Sequence, residues 1–275
     1  MNIVNAKCPA CGKVISVDCR KDASICKECG EPFITAKGIE EYNKSINTEN
    51  NIDPHMKTLF DLGVQAFYGK NYNEAYSYFL SASQFNSRQA QIILYKGLTA
   101  GYLSKLDQRA CYLRLAETRA AIDIVFKNNN LFSQLDKQTI NQFVYQTILL
   151  VNVVCNSAQN LYVPGYREMD NIKMVWTTLE EGYDTLTLLG SYFRAIFPGE
   201  CTAEQKELIK TTYSLSSSIL ARLMDERIYS VDWGWRSGLG QRNKIRHPNY
   251  KELLSIKNTL DADAKRYFPD FIPKS

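Results

Sequence analysis

The chain has 275 residues, 45% of them hydrophobic, and 33 Lys and Arg against 29 Asp and Glu leave a formal charge of +4. That length can bury a sizeable core, and so mild a charge does not by itself announce a nucleic-acid binder. No charged leader with an apolar core opens the sequence, and the most apolar run, residues 148–155, is far short of a bilayer span. The sequence therefore reads as a soluble, cytoplasmic protein with no membrane partner.

Five of the eight cysteines fall within the first 29 residues. Four of them form two CxxC pairs, Cys8 with Cys11 and Cys26 with Cys29, separated by fourteen residues. Each pair can curl into a knuckle that offers two thiolates to one ion, so the set predicts a four-sulfur, coordinatively closed and therefore structural Zn2+ site. Gly12 and Gly30 follow the pairs, where positive φ lets backbone amides turn toward sulfur. Cys19 lies between the pairs and reads as a spare thiol. Cys111, Cys155 and Cys201 are scattered through apolar stretches as small hydrophobes, with no disulfide framework, which implies a reducing compartment.

Residues 14–17 alternate and are β-branched, residues 18–22 are turn-like, and Phe33-Ile34-Thr35 follows the second knuckle. Two short strands pinned by a metal are expected, with too little core to fold without it. The pattern CPxCG, a short strand, Lys-Asp-Ala, then CxxCG-x-Pro-Phe-Ile is carried by residues 8–12 and 21–34. In this it resembles the N-terminal zinc ribbons common in bacterial proteins, over about the first 45 residues. The resemblance implies a metal-bound ribbon and no particular activity, because such ribbons accompany many different partner domains. The ribbon is assigned residues 1–37.

Residues 38–56 turn polar and Asn-rich, and read as a linker, either a short helix or extended, with a boundary near Pro54. Residues 57–126 carry a repeat. Leu62, Gly63, Ala66, Tyr72, Ala75, Phe79 and Ala82 resemble the tetratricopeptide pattern, and Gly97, Ala100, Leu106, Leu113 and Ala116 recur 34 residues on. Lys96 and Arg109 break the match, and Leu131 and Leu150 stop a third copy. An unrelated helical hairpin with convenient alanines is the competing reading.

Residues 127–275 are predicted to extend the array with antiparallel helices. Ile140, Val144 and Ile148 mark one. Ile172 through Ile196 step by three or four along a long second one, closed by Pro198-Gly199. Thr202 offers an N-cap to a third that carries Leu208, Ile219 and Leu223. The fold class is mainly α: a small N-terminal β zinc ribbon, then a tetratricopeptide-like helical array extended by antiparallel helices.

Candidate sites beyond the metal are few. His55 and His247 are the only histidines, and neither lies in a nucleophile, hydrolase or phosphate-loop motif, so no enzyme is predicted. Residues 233–251 are basic and aromatic without a carboxylate. Trp235, Arg236, Arg242, Lys244 and Arg246 there are candidate nucleic-acid contacts, against a solvated loop anchored by its tryptophans. The repeat register turns Phe60, Phe67, Tyr68, Leu98 and Tyr102 toward a concave groove, open to a protein partner or filled by the chain's own later helices. The function read from these features is a non-enzymatic adaptor for a protein partner. The alternative is nucleic-acid binding through the ribbon and the 233–251 loop.

Overall fold

The computed structural model describes residues 3–49, 53–103, 111–161, 169–226, 229–232 and 242–274. It divides into two units, Met1–Lys57 and Thr58–Ser275.

In the first unit β1 (Ile3–Lys7) pairs antiparallel with β2 (Val14–Asp18), and β3 (Ala23–Ile25) with β4 (Pro32–Ile34). The expectation of two strands is thereby corrected to two separate hairpins. The reason is local: each knuckle reverses the chain within a few residues, so the segments flanking it become immediate antiparallel neighbours. Helix α1 (Thr35–Glu49) follows β4 directly and takes up most of the stretch read as linker. Gly38 is buried in α1, and a Cβ there would stand 2.3 Å from the Phe33 ring, so the position is fitted to glycine. Ala6, Cys8, Val17, Cys26 and Phe33 form the small core, with Ile15 and Ile39 packed on it.

The helix α2 (Pro54–Tyr68) spans the division between the units. Proline at its first position costs no helical hydrogen bond, and the Asp53 carboxylate accepts from the His55 amide at 2.8 Å. A turn through Lys70, in the left-handed region, leads to α3 (Tyr72–Phe85). Small and large residues meet here as the repeat pattern requires: Ala75, Phe79 and Ala82 are fully buried, and Gly63 leaves room for the Phe79 ring.

The second hairpin, α4 (Ala90–Tyr102) and α5 (Cys111–Lys127), departs from the 34-residue register. Gly63 faces a residue sixteen positions on, whereas Gly97 faces Ala121, twenty-four positions on. Thr118 and Ala121 fill the small-residue slots against Gly97, and the Thr118 hydroxyl donates to the Gly97 carbonyl at 2.9 Å. Leu106 and Arg109 lie outside the described residues.

The short α6 (Asn129–Phe132), capped by the Asn128 side chain, leads to α7 (Lys137–Leu161), α8 (Met169–Ser191), α9 (Phe193–Ile196) and α10 (Ala203–Met224). The single helix expected through Ile196 is broken at Tyr192, beyond which α9 forms a separate turn. The capping box on Thr202 is present in full, with Gln205 answering it. α4 packs on α7, α5 on α8, and α10 on both α7 and α8. Leu98, Ile122, Leu150, Leu179 and Ile219 share one continuous core. β5 (Ser230–Asp232) pairs with β6 (Arg242–Lys244), and α11 (Tyr250–Tyr267) then packs on α10. The chain is thus mainly α with a small N-terminal β part. Among the described residues no helix is long and apolar enough to cross a membrane.

Candidate metal centre

The two knuckles repeat one backbone geometry. In the first, the Cys8 amide donates to the Lys13 carbonyl at 2.9 Å and the Gly12 amide to the Cys8 carbonyl at 2.9 Å. In the second, Cys26 donates to Glu31 at 3.0 Å and Gly30 to Cys26 at 2.8 Å. Gly12 and Gly30 take φ of 72° and 76°, which admits glycine without strain. Each first cysteine is buried at the end of a strand, and each second one is exposed at the knuckle tip.

The four sulfurs converge. Cys8 and Cys29 Sγ lie 3.7 Å apart, as do Cys11 and Cys26, and all four lie within 4.8 Å of one another. A tetrahedron with metal–sulfur bonds of about 2.3 Å has edges of about 3.8 Å, so the set fits one tetrahedral ion. The amides of Cys29 and Glu28 donate toward the Cys26 sulfur and bring its pKa down to about 7, favouring the thiolate that a metal requires. The Glu31 amide acts the same way on Cys29. There, protons shared with Cys11, Cys26 and Cys8, together with burial, outweigh it and push the thiol up to about 12. Such a crowd of sulfurs holds protons that a cation would displace.

Lys13 bridges to Glu28 across the two knuckles at 2.6 Å, and Arg20 pairs with Asp18 at 3.0 Å, so two of the ribbon's cations are already engaged. Cys19 is an exposed free thiol in that turn, outside the four-sulfur cluster.

The groove residues sit differently from one another. Phe67 and Leu98 are buried, Phe60 and Tyr102 are half-buried, and Tyr68 is exposed. Phe67 meets Tyr68, Tyr72, Tyr95 and Tyr102 edge to face, and the Tyr102 hydroxyl donates to the Gln146 carbonyl on α7 at 3.4 Å. The chain's own aromatic rings and, at Tyr102, helix α7 thus cover part of this surface, and Tyr68 stays exposed.

In the basic stretch, Trp235 and Arg236 lie outside the described residues. Arg242 and Lys244 belong to β6, with Lys244 exposed. Arg246 is held by Glu226 and stacks over the Tyr250 ring at 4.6 Å. His247 is buried: its Nδ1 accepts from the Asn249 amide at 3.1 Å, its Nε2 lies 3.2 Å from Glu180, and Trp176 meets its ring edge to face.

Sequence reasoning missed the outward faces of the ribbon. Ala23, Ile25, Pro32 and Ile34 all project from one side of the β3–β4 hairpin and are exposed, Ile25 by 68% and Ile34 by 62%. Ile3 and Val14 are exposed on the β1–β2 hairpin. The signal was there in the period-2 alternation, once each knuckle is given its own hairpin. Compared with known protein families, curated proteins and solved structures, the chain matches none of them.

Proposed function

We propose that the protein is a cytoplasmic, non-enzymatic adaptor in which a zinc ribbon of the bacterial CPxCG type docks a protein partner and a tetratricopeptide-like helical unit serves as its scaffold. The observation that carries this reading is the apolar outer face of the β3–β4 hairpin. Four adjacent side chains without a charge are held in register by strands only three residues long. Isolated apolar side chains are ordinary on a surface, but a sheet face made wholly of them is costly to leave wet. Zinc in a four-sulfur site keeps no position for an activated water, so its part is to hold these short hairpins rigid.

The test is affinity capture from the native host with the intact chain and with an Ile25→Asp/Ile34→Asp variant. A protein recovered by the wild type and lost by the variant, with zinc still bound to both, supports the adaptor. Equal recovery by both would remove the face from the function. Tight, salt-sensitive binding of oligonucleotides by the wild type would favour the nucleic-acid alternative.

A further inference from the structure

Beside the C-terminal end of α8, bounded by α9, the first turns of α10 and the last turns of α11, lies an open cleft of about 810 Å³. Small-molecule sites typically occupy about 300–1,000 Å³. Its walls are aromatic. Phe193 and Phe197, both buried, stack at its base with centroids 5.7 Å apart, the half-buried Tyr213 and Phe268 meet edge to face at 6.4 Å, and Tyr267 is 57% exposed.

Three charges line the same space: Arg194, Lys206 and Asp263, all exposed. Among the described residues none of the three has an ion-pair partner, whereas Lys210, one helical turn beyond Lys206, is engaged by Asp270. Two of these charges, Asp263 and Arg194, reach a common point. Burial first, then Asp263 and Tyr267, hold the proton on the Tyr213 hydroxyl, and Arg194 opposes them. Lys206 follows the capping box at the start of α10, whose first turn also carries Glu204.

A ligand that answers every group must be flat and largely apolar, must offer an N–H to Asp263, and must carry an anion for Arg194 and Lys206. Inorganic phosphate would leave the rings wet, and a neutral aromatic would leave both cations unanswered. We propose that this cleft binds a nucleotide, with the heterocycle against the aromatic walls, an N–H of the base donated to Asp263, and the phosphate held by Arg194 and Lys206. The assignment gives the helical unit a small-molecule site independent of partner docking at the ribbon.

Calorimetric titration of the intact, zinc-loaded chain tests it, using the four nucleoside monophosphates, the matching nucleosides and inorganic phosphate as probes. At least one nucleotide is expected to bind with a Kd below about 100 μM, and its nucleoside and phosphate at least about tenfold more weakly. Arg194→Gln/Lys206→Gln should weaken the nucleotide at least about tenfold without changing the nucleoside, and Asp263→Ala should weaken both. All three side chains are exposed, so circular dichroism should show the variants folded. No nucleotide binding up to about 1 mM, phosphate binding as tightly as the nucleotide, or affinity unchanged in the variants would each overturn the proposal.

Discussion

The sulfur atoms of Cys11 and Cys26 lie 3.7 Å apart although they stand fifteen positions apart in the chain, and Cys8 and Cys29 repeat that spacing at twenty-one positions. Each contact joins one knuckle to the other, so neither hairpin completes the cluster alone. A cation bound there ties β1–β2 to β3–β4 through bonds that the unit's handful of core side chains could not replace.

The chain should therefore bind one zinc, and native mass spectrometry should count it. Cys26→Ser is expected to lose the ion, since three sulfurs leave the tetrahedron open. Chelation should unfold the ribbon while the helical unit keeps its melting transition, because the two cores share no residue. Zinc retained at full affinity in Cys26→Ser would refute the ligand set.

Much of this was legible in the residues. The CxxC spacing named the four cysteines whose sulfurs converge, and the glycines after them announced the positive φ that both adopt. Helical periodicity placed most of α7, α8 and α10, and the Thr202 cap formed as read. The second repeat misled because a 34-residue period assumes that each pair of helices meets at the same offset. Gly97 meets Ala121 where Gly63 meets Phe79, and that shift leaves no mark in an alanine pattern. The strands β1 and β3 escaped because Ile3–Lys7 does not alternate apolar with polar residues and Ala23–Ile25 is too short to show a period by itself. The aromatic cleft could not be read at all, for Arg194, Lys206 and Asp263 come together only through the packing of α9, α10 and α11.

Gly182 on α8 offers a sharp test of the helical core. A Cβ there would lie 2.4 Å from the Cys155 sulfur and 3.2 Å from Val151 on α7. Gly182→Ala should destabilise the unit by about 1–3 kcal/mol in urea unfolding, because helix propensity gained is smaller than the overpacking incurred. Cys155→Ala removes the sulfur and should restore part of the loss, so the two changes should couple in a double-mutant cycle. Additive effects would show that α7 and α8 do not meet at this pair.

His247 should make the helical unit sensitive to mild acid. Its Nδ1 accepts the Asn249 amide, which leaves the proton on Nε2 facing Glu180. Burial holds its pKa below the ordinary histidine value. The folded state therefore binds fewer protons than the unfolded one. The stability from neutral His247 is present above the unfolded pKa of about 6.5 and is lost as pH falls toward the lowered folded value. Glu180 and Glu181 run the other way: burial and their acidic neighbours raise both, so they add stability at lower pH. The wild type minus His247→Gln difference isolates the histidine, and it should shrink between pH 7.5 and 5.5. A difference that stays flat would mean that folding does not perturb the histidine, and one that grows as pH falls would place a charged histidine in the folded protein.

Arg246 separates the two functional readings. Its guanidinium is taken by Glu226 and by the Tyr250 ring at the start of α11, so it fastens the strand leaving β6 to the helix that follows. The side chain is largely exposed, and a pair of this kind together with a cation–π contact contributes on the order of 1 kcal/mol. Arg246→Ala is expected to lower the melting temperature slightly and to leave oligonucleotide binding at low salt as weak as in the wild type. A loss of about one unit in the salt slope of an otherwise measurable binding, with stability unchanged, would instead assign Arg246 to a phosphate and restore nucleic acid as the partner.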